Sequence, residues 1–173
     1  MNQAPIINGY EHNGKVYKSP VGQVPKIVNN FIPKTENQKI LYQKISNFNN
    51  QLILCHGIAG TGKTYVSIYK ALQDVLRRGT PYNKLIIINP TVDVGNEDKL
   101  GYLPGELDKK IQQYNESTFT ILDNIIGKQK AQKLITDNKV EVGVLNFLRG
   151  VNLSECYVIL DEAQNVSPMQ IKT

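Results

Sequence analysis

The feature that most constrains this chain is a glycine-rich segment at residues 57–64. It fits the pattern G-x-x-x-x-G-K-[ST] and reads Gly57-Ile58-Ala59-Gly60-Thr61-Gly62-Lys63-Thr64. An apolar run at residues 52–56 precedes the segment, and apolar residues at helical spacing follow it. A strand, a tight turn and a helix in this order are the setting that the pattern requires. The sequence therefore predicts a phosphate-binding loop.

The residue types of this loop suit a bound polyphosphate. Glycines let the backbone fold around an anion with several N–H groups pointing inward, and the N-terminus of the next helix adds partial positive charge. We expect residues 57–64 to line a nucleotide, with Lys63 reaching the β- and γ-phosphates. The hydroxyl of Thr64 is expected to ligate Mg²⁺. The alternative is a glycine-rich turn that binds nothing.

A second candidate site follows a short apolar run near the C-terminus. Residues 157–160 are apolar, and Asp161 and Glu162 come directly after them. A nucleotidase with a phosphate-binding loop needs an acid at the end of another strand to hold its metal. We therefore expect Asp161 to bind Mg²⁺ and Glu162 to act as general base on the attacking water. The alternative is a solvated turn at the end of a strand.

Predicted strands and helices alternate along the chain, which indicates an α/β fold. Such alternation is typical of a mainly parallel sheet with helices on both faces. The predicted strands cover residues 52–56, 85–88, 140–145 and 156–160. A capping box of Thr35 and Gln38 opens the first predicted helix. The other helices are predicted at residues 64–78, at 107–125 as one helix or two, at 128–137, and from Pro168 onward.

Residues 1–34 differ from the rest of the chain. They hold four of the eight prolines and show little apolar periodicity. Asn13-Gly14 suits the tight turn of a small β-hairpin. We interpret residues 1–34 as an N-terminal extension and residues 35–173 as the main domain.

Composition excludes several classes of protein. Hydrophobic residues are 40% and charged residues 20%, which is an ordinary globular mixture. Neither a membrane-length apolar run nor a signal-peptide pattern is present, so export and membrane insertion are not predicted. The net charge of +5 permits an anionic partner without requiring one. Cys55 and Cys156 are interpreted as buried, unpaired residues.

The chain resembles the PhoH family, whose members are ATPases related to superfamily 1 helicases. The resemblance covers residues 34–173 and rests on five segments taken together. These are Thr35-Glu36-Asn37-Gln38, residues 57–64, Leu100-Gly101-Tyr102-Leu103-Pro104-Gly105-Glu106, Leu148-Arg149-Gly150 and Ile159-Leu160-Asp161-Glu162-Ala163-Gln164-Asn165.

The resemblance implies a RecA-like domain that hydrolyses ATP with Mg²⁺ and works on single-stranded RNA or DNA. It implies that Gln38 recognises adenine, although the capping box explains Gln38 equally well. Gln164 would sense the γ-phosphate unless it is a plain polar cap, and Arg149 would contact phosphate or nucleic acid unless it is a plain surface or ion-paired arginine. The family also suggests a cytoplasmic protein, bacterial or phage-encoded, and is compatible with a homo-oligomer.

Two departures from the family pattern leave alternatives open. Asn89 stands where family members often carry arginine, which weakens the expected grip on nucleic acid. The family continues past the position of Thr173, so a truncated member that binds ATP without turnover is an alternative. A GTPase is a weaker alternative. It is suggested by residues 98–101, which match D-x-x-G, and by residues 138–141, which nearly match N-K-x-D.

Overall fold

The computed structural model describes residues 10–12, 15–17, 30–77, 79–90, 106–143 and 152–167. The chain divides into two compact units, Met1–Asn83 and Lys84–Thr173. The first unit contains β1 (Tyr10–His12), β2 (Lys15–Tyr17), α1 (Glu36–Ser46) and α2 (Lys63–Leu76). The second contains β3 (Lys84–Ile88), α3 (Glu106–Ile126), α4 (Lys128–Thr136), β4 (Val140–Gly143), β5 (Cys156–Leu160) and a 3₁₀ turn at Ala163–Asn165.

Helix α1 begins where its capping box predicts. The hydroxyl of Thr35 accepts a hydrogen bond from the backbone N–H of Gln38, and the Gln38 side chain accepts one from the Thr35 N–H. These reciprocal bonds satisfy two backbone donors that a helix start leaves without partners. Leu41 and Ile45 then form the buried face of α1, which packs against α2.

Two short strands flank the turn predicted at Asn13-Gly14. β1 and β2 pair antiparallel, with Tyr10 opposite Tyr17 and His12 opposite Lys15. Asn13 and Gly14 themselves lie outside the described residues. The proposed boundary between residues 34 and 35 stays a prediction.

The second unit is built on a parallel sheet of three strands in the order β4-β3-β5. β3 pairs with β4 from Leu85 opposite Val140, and with β5 from Lys84 opposite Cys156. Residues 85–88 of β3 are all buried, as expected for a central strand. Helices α3 and α4 pack against β4, and α3 is one continuous helix. The α/β class and the parallel sheet are confirmed.

One predicted strand is wrong. Residues 51–58 belong to no strand or helix, and Leu52 and Leu54 are 79% and 86% exposed. An apolar run forms a strand only where a neighbouring strand completes its ladder, and no described residue supplies one here. For the same reason Cys55 is exposed and not buried as expected, whereas Cys156 is half-buried in β5; both are free thiols.

Three predicted segments lie outside the described residues: the helix opened by Pro168, the Leu-Pro-Gly segment at 100–105 and the loop that contains Arg149. Within the described part of the chain, the helices are too short or too polar to cross a bilayer.

Candidate functional site

The glycine-rich loop has the backbone shape that its sequence predicts. Gly60 and Gly62 adopt left-handed conformations with φ of 76° and 86°, which residues with a β-carbon rarely tolerate. The hydroxyl of Thr61 donates to the carbonyl of Ile58 at 2.9 Å and braces the turn from inside. Residues 57–61 are exposed, so the loop is accessible to a ligand.

Helix α2 begins at Lys63, and its N-terminus has no side-chain cap, which makes it suited to an anion. Its N-cap is Gly62, which offers no side-chain hydrogen bond, and its first turn contains no acidic residue. The first N–H groups of a helix need acceptors, and its dipole favours negative charge there. A phosphate group at this position satisfies both requirements.

Lys63 turns its ammonium group back over the loop. Its Nζ donates to the carbonyl of Gly57 at 3.0 Å and to that of Ile58 at 2.9 Å. The charge therefore lies over residues 57 and 58, next to the helix start. Thr64, the expected Mg²⁺ ligand, is the second residue of α2.

Gln38 is joined to the loop by a contact that the sequence did not reveal. Its Nε2 donates to the carbonyl of Thr61 at 3.0 Å, while its Oε1 accepts from the N–H of Lys34 at 2.8 Å and of Thr35 at 3.4 Å. The amide oxygen thus has two donors already. Gln38 connects the start of α1 to the phosphate-binding loop.

The acidic pair lies at the carboxyl edge of the parallel sheet. The N–H of Asp161 donates to the carbonyl of Ile88 at 2.9 Å, which continues the pairing of β3 and β5 by one residue. Ligands of open α/β sheets bind at this edge. Asp161 is therefore held where the sequence analysis expects a metal ligand.

Glu162 and Gln164 form one small hydrogen-bonded group. Glu162 has φ 49° and ψ 40°, a left-handed conformation, and its N–H donates to Oδ1 of Asp161 at 3.1 Å. The side-chain amide of Gln164 donates to the Glu162 carboxylate. The structure thus brings together three of the predicted residues, Asp161, Glu162 and Gln164.

A buried polar cluster follows β3 at the same edge of the sheet. Nδ2 of Asn89 donates to Oδ1 of Asn115 at 2.6 Å and to Oγ1 of Thr118 at 3.0 Å. Asn115 and Thr118 lie in α3 and are buried. Asn89 therefore fastens α3 to the end of β3. The sequence analysis missed this role, because residue spacing does not reveal which turn of α3 faces the sheet.

The oxygen ligands among the described residues suit Mg²⁺ that binds together with a nucleotide. No group of three or more His, Cys, Asp or Glu that could hold a metal occurs among the residues in the described ranges. Mg²⁺ usually keeps several waters and binds through one or two carboxylates plus substrate phosphates. Asp161, which follows β5 in the second unit, is a carboxylate of this kind.

The GTPase-like segment at residues 138–141 lies at the wrong edge of the sheet for a nucleotide. Asn138 and Lys139 precede β4 and so lie at its amino end, opposite to the ligand-binding edge. Glu141 pairs with Lys84 at 2.6 Å. This segment forms the turn into β4 and the start of that strand, and it does not favour guanine recognition.

Comparison with known proteins adds to this geometry. The family described as "PhoH: PhoH-like protein" matches residues 30–173. The chain belongs to the PhoH-like protein family. A PhoH-like protein of Bacillus subtilis is 38% identical over 123 residues, which are 71% of this chain and 37% of that protein.

Two further PhoH-like relatives show similar coverage. The PhoH-like protein of Mycobacterium tuberculosis strain H37Rv is 34% identical over 140 residues, covering 81% of this chain and 38% of the relative. Protein PhoH of Escherichia coli is 32% identical over 124 residues, covering 70% and 34%. The chain spans less than two-fifths of the length of these relatives.

Proposed function

We propose that this PhoH-like chain binds ATP together with Mg²⁺ and hydrolyses it. The observation that carries the proposal is the start of α2, where an uncapped helix N-terminus follows left-handed glycines and the Lys63 ammonium lies over the same loop. The acidic pair after β5 supports hydrolysis over binding alone. Mg²⁺, when bound with the nucleotide, would supply positive charge that favours phosphoryl transfer.

Each residue has a distinct part in the proposed reaction. The loop N–H groups and Lys63 hold the phosphates, and Thr64 and Asp161 are the residues that would hold Mg²⁺ through their oxygen atoms. Glu162 takes a proton from the attacking water as the water oxygen bonds to the γ-phosphorus, while the bond from that phosphorus to the bridging β-phosphate oxygen breaks and ADP leaves. Gln164 donates to the Glu162 carboxylate and so orients it.

Single-stranded RNA or DNA is the partner we propose for this activity. The support is the family resemblance together with the net charge of +5, which favours a polyanion weakly. An assembly of several copies is proposed on the resemblance alone.

The test is Mg-ATP turnover by the 173-residue chain and by Lys63→Ala, with and without single-stranded RNA. We expect Lys63→Ala to lose at least about 10²-fold in turnover, the scale for removing one preorganised donor. Lys130→Ala, an exposed lysine of α4, is the matched control and should turn over normally. Equal turnover by Lys63→Ala contradicts the proposal. ATP binding without turnover by the wild type supports the alternative of a binding fragment.

A further inference from the structure

One peptide group of the second unit links both neighbours of the central strand β3. It joins Ile88 to Asn89, and its carbonyl accepts the N–H of Asp161 at 2.9 Å, while its N–H donates to the carbonyl of Gly143 at 3.1 Å. A peptide group is planar and rigid, so its two ends turn together. A rotation that weakens the bond to Gly143 therefore also turns the Ile88 carbonyl away from Asp161.

The side chain of Asn89 fixes this peptide group against α3. Its Nδ2 carries two N–H donors, which bind Oδ1 of Asn115 at 2.6 Å and Oγ1 of Thr118 at 3.0 Å. Asn115 and Thr118 are three residues apart, so they lie on the same face of α3, and both are buried. Pro90 restricts the backbone of Asn89 to extended conformations. Asn89 is thus restrained through its backbone and through its side chain.

Helix α3 is a firm support for this side chain. Leu122 and Ile125 of α3 are buried, which holds the helix in the core of the second unit. A buried oxygen that loses its donor keeps the cost of its lost hydration, so the two acceptors on α3 favour the observed position of Asn89. The end of β3 is therefore fixed relative to α3 as well as to its neighbouring strands.

We propose that Asn89 is a positioning residue for the acidic pair Asp161 and Glu162. The N–H of Asp161 is held by the Ile88 carbonyl, and Oδ1 of Asp161 accepts the N–H of Glu162 at 3.1 Å. A path of hydrogen bonds and one rigid peptide group thus runs from α3 to the carboxylates after β5. Asn89 acts through the backbone of Asp161 and does not itself bind the nucleotide. This proposal rests on the proposed function, in which both carboxylates must be held in place.

The first test follows the backbone and needs no ATP. Amide hydrogen exchange is measured by NMR for the wild type and Asn89→Ala. The reference is the amide of Leu85, at the other end of β3, which donates to the Lys139 carbonyl at 2.9 Å. Relative to this reference, Asn89→Ala should speed exchange of the Asp161 amide by at least about fivefold, the scale for the loss of one hydrogen bond.

A milder variant covers the case in which Asn89→Ala fails to fold. Thr118→Val nearly keeps the side-chain shape and removes one of the two acceptors, so it should change the same ratio in the same direction by a smaller factor. Equal acceleration of the Asp161 and Leu85 amides would show that the cluster stabilises the whole unit and does not position Asp161. Unchanged exchange of Asp161 in the folded variants would overturn the proposal as well.

The second test measures the effect on the proposed metal ligand. The Mg²⁺ concentration that half-saturates ATP turnover should rise at least about tenfold in Asn89→Ala, the scale for losing an outer-shell partner of a metal ligand. Gln132→Ala, which removes an exposed amide from α4, is the matched control and should keep the wild-type value. An unchanged Mg²⁺ requirement in Asn89→Ala would contradict the positioning role. If the wild type itself shows no turnover, the proposed function fails, and the exchange experiment still decides whether Asn89 holds Asp161.

Discussion

Glu162 combines an unfavourable backbone with a chemically useful position. The left-handed conformation costs a non-glycine residue roughly 1–2 kcal/mol of conformational free energy. Such residues persist where neighbouring contacts enforce them, and they concentrate at functional sites. Here the contacts are the Glu162 N–H bond to Asp161 and the Gln164 amide on the carboxylate. The backbone of Glu162 is therefore strained at the residue that we propose as the general base.

Replacing Glu162 by glycine should separate stability from activity. We expect Glu162→Gly to raise the free energy of unfolding by up to about 1 kcal/mol, because glycine adopts this φ without a β-carbon clash. Turnover should fall about 10²- to 10⁴-fold, the usual contribution of a general base. Urea unfolding and ATPase assays measure the two effects. Asn138→Gly, at φ 56°, is the control that should keep full turnover. A fully active Glu162→Gly would contradict the assigned role.

Gln38 offers a second test at the scale of one side chain. Its amide joins the N–H groups of residues 34 and 35 to the carbonyl of Thr61, so its removal should loosen the loop itself. We expect Gln38→Ala to weaken binding of ATP and of tripolyphosphate by the same factor. Calorimetric titration with each ligand measures this. A loss confined to ATP would instead show that Gln38 reads the base, as the family resemblance implies.

Helix α2 contains a buried ion pair. Lys70 and Asp74 are one turn apart, both are buried, and their charged groups are in direct contact. Nζ of Lys70 also lies 5.6 Å from the ring centre of Phe48, and the carbonyl of Asp74 accepts from the hydroxyl of Thr80 at 2.7 Å. Burial raises the pKa of Asp74, and the nearby Lys70 ammonium partly offsets this. Burial likewise lowers the pKa of Lys70, with Asp74 opposing it.

Breaking this pair from one side should destabilise the first unit strongly. We expect Lys70→Met to lower the free energy of unfolding by about 3–5 kcal/mol, because it leaves an unpaired buried carboxylate. The double variant Lys70→Met/Asp74→Leu should recover most of that loss. Chemical unfolding of the wild type and both variants measures the effect. If the single and double variants lose the same free energy of unfolding, the loss comes from altered packing and not from the unpaired charge.

The loss in Lys70→Met should also depend on pH. The folded pKa of Asp74 lies above its ordinary value of 3.8, so folding favours the protonated carboxyl group. The stability that this group contributes is therefore fully present below pH 3.8. That contribution disappears as the pH rises through the folded pKa. Without the Lys70 ammonium, which lowers the pKa of Asp74, that pKa should rise further, so the gap in unfolding free energy between wild type and Lys70→Met should widen with rising pH.

Elements that depend on residues close together in the sequence were predicted well. Elements and contacts that depend on distant residues were not. Thr35 and Gln38 satisfy each other within one turn, so their spacing alone located the start of α1. Residues 52–56 carry an equally clear apolar pattern, yet a strand depends on a neighbour that the pattern does not contain. The contact of Gln38 with Thr61 was missed for the same reason, since it joins residues 23 positions apart.

Each unit carries residues that the sequence motifs single out. The loop and Lys63 belong to the unit Met1–Asn83, and Asp161, Glu162 and Gln164 belong to the unit Lys84–Thr173. Short spacings in the sequence were enough to select these residues, and their chemical roles stay predictions. The Asn89 cluster depends on how α3 packs at the end of β3, and sequence patterns did not reveal it.

One thiol in each unit allows the whole molecule to be probed in a single experiment. Cys55 is exposed on the segment before the loop, whereas burial raises the pKa of the Cys156 thiol in β5. The thiolate is the reactive form, so Cys156 should be alkylated more slowly than Cys55 near neutral pH. Peptide mass spectrometry after timed iodoacetamide treatment measures both rates. Comparable rates would show that residues 52–56 are covered in solution.

The Lys63 contacts have a consequence for how a ligand enters. The Lys63 ammonium has three N–H donors, and two of them bind the carbonyl oxygens of Gly57 and Ile58. One donor is therefore left for a phosphate while the other two keep the lysine over the loop. A side chain that is already held in this position loses less conformational entropy when a ligand binds.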